Sequence, residues 1–264
     1  MKLRAGERLD LRMECGFKKG EAAIALNHDT PGLDRRAVLP EFLHPEPGPK
    51  RKLEIPVEKR PDVIADFGFE EKDGALSRSR AGVEIFGRLT GNARRVPGTF
   101  GSGIEFAPKG EFAPALFPID EELRLPNTNY TVAFWFKTST PNVHLCAAKS
   151  DSGYNNQWAD HVVQLEGGKL QFRLQDDQPI ETPGPLNDGE WHHVVTTVGE
   201  GGQRLHVDGN LIGTGKLTRR TRSSNRLGLD LGPGSGGGAV VMDEIRILSR
   251  ALTTVEVEAF SSHK

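Results

Sequence analysis

The sequence predicts an all-β chain: an antiparallel β-sandwich with one short C-terminal helix, preceded by a small N-terminal β segment. Three observations predict it. From residue 62 onward, strand-length runs rich in β-branched and aromatic residues recur with turn clusters between them, the pattern of a sandwich or barrel. The 31 Gly and 17 Pro suit a turn-rich chain, and helical periodicity is scarce. Asp188-Gly-Glu-Trp191-His192-His193 through Val198, then Gln203 through Val207, then Asp208-Gly209-Asn210 reads as two strands and a tight turn, Asp-Gly being a strong hairpin signal.

The elements follow in order. Leu9, Leu11 and Met13 alternate with Asp10, Arg12 and Glu14, which gives one apolar face. Ala22 to Leu26 is a second strand, and Asp29-Thr-Pro-Gly32 is a turn. Two or three strands within residues 1–46 make a poor independent core, so this segment reads as a partial domain. Residues 47–61 form a Pro-rich linker, because proline removes ladder donors and favours extended chain. Residues 62–264 form the main domain. Its expected strands are Val63–Phe69, Val83–Phe86, Gly103–Phe106, Tyr130–Lys137, Val143–Ala148, His161–Glu166, Lys169–Leu174, His192–Val198, Gln203–Val207, Arg226–Leu231 and Val240–Leu248. Tyr130–Lys137 is the most apolar run and is expected centrally, covered on both faces. Thr253-Thr-Val-Glu256 is a capping box, with Leu252 and Val257 at the staple positions, and it starts a helix over roughly residues 254–261.

The formal net charge of -2 gives no global signal for nucleic acid or an anionic membrane. No stretch approaches the ~18 apolar residues of a membrane span. Met1-Lys-Leu-Arg runs into Ala5-Gly-Glu-Arg-Leu-Asp without an apolar core, so no signal peptide is visible in this chain. The expectation is a cytoplasmic protein or a piece of a longer exported one. Cys15 and Cys146 fall in different domains, and two reduced, buried thiols are expected rather than a disulfide.

Five segments line up in order with a known family. Asp66-Phe-Gly-Phe-Glu70 resembles an opening "F-D/E" strand. Val96-Pro-Gly-Thr-Phe-Gly101-Ser-Gly103-Ile-Glu-Phe106 resembles a "G-x-x-G-x-A-x-x-F" segment. Tyr130-Thr-Val-Ala-Phe-Trp135-Phe-Lys resembles "F-T-V-S-x-W-V-K". The Trp191-His192-His193 stretch with Val207-Asp208-Gly209 resembles "D-G-x-W-H-H-V…L-Y-V-D-G". Met242-Asp-Glu-Ile-Arg-Ile-Leu-Ser-Arg-Ala-Leu252 resembles "I-D-E-V-R-I-Y-N-R-A-L-S". Together they resemble the laminin-G-like, concanavalin A-like jelly-roll family, including its pentraxin-like branch, over about residues 62–262. The N-terminal piece, through Leu3–Met13, Gly20–Leu26 and Arg36–Pro45, is similar to the last strands of a protective-antigen-type β-sandwich domain. Such domains often bind glycans. Asn27-His28 stands where that family carries tryptophan.

The resemblance implies candidate sites. Calcium in related jelly rolls often bridges an aspartate before the last long strand to main chain near the opening strand. Carried onto this chain, Asp243 is the side-chain ligand and the Glu70 region supplies further oxygens; the alternative is a hydrogen-bonded or solvated Asp243. In pentraxin-like relatives two loops hold calcium at the ligand site, which maps here to Asp151, Asn155 and Asp230. The acidic cluster is reduced to Leu229-Asp230-Leu231. The residues themselves favour one ligand loop, Lys149 to Asp160. Tyr154 and Trp158 can stack on a sugar face, while Asn155, Asn156, Gln157 and Asp160 can read hydroxyls. The alternative is that the two aromatics pack over the sandwich edge. His192 and His193 are adjacent on a strand and point to opposite faces, so they read as framework, with Trp191 as core. Lys216 to Arg222 is a short basic run that reads as a charged edge strand, with polyanion contact as its alternative.

The same fold hosts glycoside hydrolases, which need paired carboxylates. Their "E-x-D-x-x-E" motif is absent: Glu71-Lys-Asp73 lacks the third acid because Leu76 stands there. No serine–histidine elbow, zinc triad or phosphate-cradling glycine loop appears. The expected function is a non-catalytic module binding a glycan or glycosylated surface, calcium-assisted, within a longer exported protein. A structural spacer without ligand is the rival from another class, and a glycoside hydrolase is a third reading.

Overall fold

The computed structural model describes residues 16–18, 21–25, 37–38, 62–81, 85–107, 111–116, 121–122, 125–149, 161–175, 177–219, 226–230 and 238–262. The chain divides into two compact units, Met1–Ile55 and Pro56–Lys264. In the first, β1 (Gly16–Lys18), β2 (Glu21–Ala25) and β3 (Ala37–Val38) form a three-stranded antiparallel sheet in that order. The strand expected at Leu9 to Met13 lies outside the described residues, as does Cys15.

The second unit is a sandwich of two antiparallel sheets. Its strands are β4 (Val63–Phe67), β5 (Leu76–Arg78), β6 (Ile85–Thr90), β7 (Ala93–Pro97), β8 (Ser102–Phe106), β9 (Glu111–Leu116) and β10 (Glu121–Glu122). There follow β11 (Tyr130–Lys137), β12 (Val143–Lys149), β13 (His161–Glu166), β14 (Lys169–Leu174), β15 (Ile180–Pro185) and β16 (Trp191–Gly199). The last are β17 (Gly202–Val207), β18 (Asn210–Gly215), β19 (Arg226–Asp230) and β20 (Val240–Leu248), before α1 (Thr254–Ser262). One sheet runs β15-β14-β13-β12-β19-β9-β6-β5, with β10 on β9. The other runs β18-β17-β16-β11-β20-β8-β7, with β4 on β20.

Alternation explains the core. Tyr130, Val132, Phe134 and Phe136 of β11 point inward, all fully buried. They meet Val163, Leu165, Leu170, Phe172 and Leu174 from the other sheet in one cluster. A buried polar tie crosses this core: Tyr130 Oη lies 3.0 Å from His161 Nδ1, and His161 Nε2 lies 3.4 Å from Thr196 Oγ1. Cys146 is buried and free.

The expected β11 is central, as its composition requires; it and three other strands match to the residue, and five more match within one residue at each end. The strands the sequence reading missed include both ends of both sheets: β15 and β5 in one, β18 and β7 in the other. Edge strands tolerate Pro, Gly and charge, as in Ile180-Glu-Thr-Pro-Gly-Pro185 and Ala93-Arg-Arg-Val-Pro97, so they lose the alternation that marks a strand. The hairpin is a type I′ turn: Val207 pairs Asn210, and Asp208 and Gly209 both have positive φ, 51° and 81°. Trp191 corrects an expectation. It is half-buried, because it opens β16 opposite Lys137 at the end of β11, at the rim of the sandwich.

Helix α1 covers the outer face of the β11–β16–β20 sheet. Leu252 and Val257 pack with Ala133, Val195 and Leu248. Its capping box is formed: Thr253 N donates to Glu256 Oε2 at 2.8 Å, and Glu256 N donates to Thr253 Oγ1 at 3.3 Å. Thr253→Ala removes one side of the box and is expected to lower stability by about 1 kcal/mol in urea denaturation.

Candidate functional site

One extra residue in β20 organises the outer face of the helix-covered sheet. Ala133 pairs Arg246, but Trp135 pairs Asp243, so Phe134 faces both Glu244 and Ile245. Glu244 holds φ 50°, the left-handed conformation of a bulged residue. The bulge falls where β20 changes partner, from β8 at residues 240–242 to β4 at residues 245–248. It also shifts side-chain parity. Met242, Ile245 and Ile247 stay in the core, while Asp243, Glu244 and Arg246 all leave it.

Asp243 is fully buried all the same. Its Oδ2 accepts the backbone N–H groups of Thr99 and Phe100, both at 3.0 Å, and its Oδ1 accepts that of Glu244 at 2.7 Å. Burial pushes the carboxyl up to about 6, against the pull of these three donors. Glu70 reaches the same turn from the other side and accepts Ser102 N at 3.4 Å. The turn needs its glycines. A Cβ on Gly98 would stand 2.5 Å from Asp243 Oδ2, and one on Gly101, whose φ is 74°, would stand 2.5 Å from Glu70 Oε1.

The structure therefore brings Asp243 and Glu70 to one turn, as acceptors of N–H groups. Calcium wants six to eight oxygens. Both Asp243 oxygens face N–H donors, and among the described residues no group of three or more His, Cys, Asp or Glu could hold a metal ion. The described residues around Asp243 fit a hydrogen-bonded anchor, the alternative reading of this aspartate, and do not fit a calcium centre. Asp230 ends β19 in the opposite sheet, paired with Glu111. Asp151 and the ligand-loop residues Tyr154, Asn155, Asn156, Gln157, Trp158 and Asp160 lie outside the described residues.

Beside Asp243 stands an ion-pair network that the sequence reading did not single out. Arg80 forks onto Glu244, Nη1 to Oε1 at 3.0 Å and Nη2 to Oε2 at 2.6 Å, and Nη2 also reaches Asp66 Oδ1 at 2.5 Å. Arg246 donates Nε to Asp66 Oδ1 at 3.2 Å and Nη2 to Glu244 Oε2 at 2.6 Å. Asp66 and Glu244 are buried and each meets two guanidinium groups. Next to the network is a cavity of about 240 Å³ lined by Phe100, Trp135, His193, Glu244, Arg246 and Phe260. Trp135 and His193 are register partners on β11 and β16 and share the outer face, whereas His192 pairs Phe136 on the inner side. The two histidines do point to opposite faces. His192 is held between Asp208 Oδ2 at 2.9 Å and Asp188 Oδ1 at 3.2 Å, which raises its pKa.

The opposite sheet offers a different surface. His144 pairs Gln164, Gln164 pairs Gln171, and Gln171 pairs Glu181, so one row crosses β12, β13, β14 and β15. Their neighbours Val163, Leu165, Leu170 and Phe172 fill the core, so the row faces out. Gln164 Nε2 lies 3.5 Å from Gln171 Oε1, and Gln171 Nε2 donates to Glu181 Oε2 at 2.9 Å. Lys169 Nζ pairs Glu181 Oε1 at 2.9 Å. Glu71, the residue nearest a hydrolase motif, pairs instead with Arg95 at 3.2 Å.

A family model described as the Concanavalin A-like lectin/glucanases superfamily matches residues 115–258. Among solved structures, the binding domain of Paraclostridial Mosquitocidal Protein 1 is similar, with TM-score 0.59 and 16% identity over 76% of this chain and 52% of that one. The botulinum neurotoxin serotype D binding domain gives TM-score 0.58 and 13% identity over 77% and 52%. Domain 4 of AbnA, a GH43 extracellular arabinanase from Geobacillus stearothermophilus solved in complex with arabinotriose, gives TM-score 0.58 and 17% identity over 76% and 98%. The chain spans about half the length of the two toxin binding domains. At these identities the likeness is one of fold. No curated protein matches the sequence.

Proposed function

Because the chain belongs to the concanavalin A-like lectin/glucanase superfamily, we propose that it is a non-catalytic module recognising a glycan or glycosylated surface, through the outer face of the β12–β15 sheet. The observation that carries this reading is the hydrogen-bonded Gln164–Gln171–Glu181 row. Side-chain amides present donors and acceptors together, which suits the alternating hydroxyls of a sugar chain. The loop with Tyr154, Asn155, Asn156, Gln157, Trp158 and Asp160 joins β12 to β13, two strands of that same face. It would supply the stacking contacts. A sugar-bound structure within this fold class, the arabinanase domain, supports the ligand class. The module would work within a longer exported protein. No helix among the described residues is long and apolar enough to cross a membrane.

The test is a glycan array, run with and without chelator. Gln171→Ala, Tyr154→Ala and Trp158→Ala are each expected to weaken binding about tenfold or more, the scale of one lost polar or stacking contact. Loss of binding on chelation would support a calcium-assisted site. No binding to any glycan would favour the spacer. Hydrolysis of a polysaccharide, abolished by one carboxylate substitution, would make the protein an enzyme and overturn the proposal.

A further inference from the structure

We propose a second binding site, on the sheet opposite the glycan face: the cavity beneath helix α1 takes a single neutral hydroxylated ring, such as one sugar residue. His193 Nε2 accepts a hydrogen bond from it and Arg246 Nη1 donates one to it. The site stands independently of the β12–β15 face.

Its walls are aromatic. Trp135 stacks on His193 with centroids 4.9 Å apart and planes 25° apart. Phe100 meets Trp135 edge-on at 5.8 Å, and Phe260 lies 5.8 Å from His193. Such faces take the CH side of a sugar ring.

The polar groups left over define the ligand further. Ser261 Oγ donates its single hydrogen to Val257 O at 2.9 Å, within the last turn of the helix. The hydroxyl can then only accept from His193 Nδ1, 2.7 Å away. This network assigns the proton to Nδ1, so Nε2 carries a lone pair. The ring is 3% exposed, and Nε2 has no partner among the described residues. His193 lines the cavity, so an Nε2 lone pair without a protein donor is a place for a ligand hydroxyl to bond. Burial, reinforced by Arg246, holds His193 down to about 4, so the ring stays neutral in neutral solution. Arg246 commits Nε and Nη2 to Asp66 and Glu244 and lies over Phe260 at 4.9 Å, leaving Nη1 without a partner among the described residues. Both Glu244 oxygens already meet arginines, so the site does not call for a charged ligand. About 240 Å³ falls below the roughly 300–1,000 Å³ of pockets for larger ligands, which limits the occupant to one ring.

The experiment is long-range ¹H–¹⁵N correlation of the histidine rings at neutral pH. Methyl β-D-glucopyranoside, methyl β-D-galactopyranoside and methyl α-L-arabinofuranoside are titrated in separately. Without ligand, His193 is expected to show a protonated Nδ1 and a bare Nε2; the reverse pattern overturns the assignment. With at least one glycoside, the Nε2 and Trp135 indole signals are expected to move and saturate in the millimolar range. Trp135→Phe is expected to weaken that binding about tenfold while the rest of the amide spectrum is kept. Ser261→Ala, which frees Nδ1, is expected to mix the tautomers and weaken binding as well. Silence at His193 and Trp135 with all three glycosides overturns the proposal. Shifts confined to Gln164 and Gln171 overturn it while supporting the glycan face.

Discussion

Asp243→Ala is expected to lower the stability of the sandwich by about 3–5 kcal/mol, because it leaves the part-buried N–H groups of Thr99 and Phe100 and the buried one of Glu244 without an acceptor. Urea denaturation of the variant beside the wild type measures it. Asp243→Asn keeps one acceptor oxygen and is expected to lose less. The same loss should appear with and without calcium, since the aspartate acts on backbone donors. A wild-type protein stabilised by calcium, with Asp243→Ala losing that response, would return Asp243 to the role of metal ligand. Stability of Asp243→Ala within about 1 kcal/mol of wild type would show that the 98–102 turn stands without its anchor.

The second large effect is acid sensitivity through His193. Its ordinary value of 6.5 is lowered to about 4 in the folded chain, first by burial and then by Arg246. Above pH 6.5 both folded and unfolded chains carry the ring neutral, and the stability it allows is complete. As pH falls from about 6.5 to about 4 the unfolded chain takes up a proton that the folded chain refuses, so stability falls. Over that window the loss amounts to about 3 kcal/mol, at 1.36 kcal/mol per pH unit. Asp243, raised to about 6 from 3.8, acts in the opposite sense between those two values. His192, raised by its aspartates, adds stability at low pH that is lost as pH rises through its folded value. The His193 contribution is therefore read from the difference between wild type and His193→Gln across pH, in which the other two cancel. A flat difference profile between pH 4 and 6.5 would mean that His193 protonates as easily folded as unfolded.

Much of the fold was legible in the chain. Strands that alternate cleanly, such as His161–Glu166 and Lys169–Leu174, end where the sequence reading ends them. The Asp208-Gly209 turn and the Thr253–Glu256 capping box are local chemistry, satisfied by atoms a few residues apart, and local sequence specifies them. Edge strands were illegible for a physical reason: with one side unpaired, they accept the proline, glycine and arginine of β15 and β7, which break the alternation. β9 shows a related limit, since Pro114 sits within it, opposite Gly87 of β6.

The sites were legible only in part. Asp243 stood out by resemblance, but its partners did not. Thr99 and Phe100 meet it through backbone N–H groups, which no side-chain pattern records. Arg80 reaches Glu244 from a loop 164 positions away in the chain. Trp135 read as part of an apolar run covered on both sides, yet it opens onto a cavity because helix α1 covers Ala133 more fully than its neighbour. The Gln164–Gln171–Glu181 row needed register, which pairs residues across three strands.

The sequence by itself determined an all-β sandwich, its central strands, its tight hairpin and its capped helix, because each depends on periodicity or on contacts a few residues long. Only the tertiary structure decided which way the last strand's acids and Arg246 point. A strand's side chains alternate by register, and one bulged residue at Glu244, placed where β20 exchanges β8 for β4, reverses the parity of everything beyond it. Asp243 already faces out in step with Val241, and that single shift carries Glu244 and Arg246 out beside it, toward the anchor, the ion-pair network and the cavity they build.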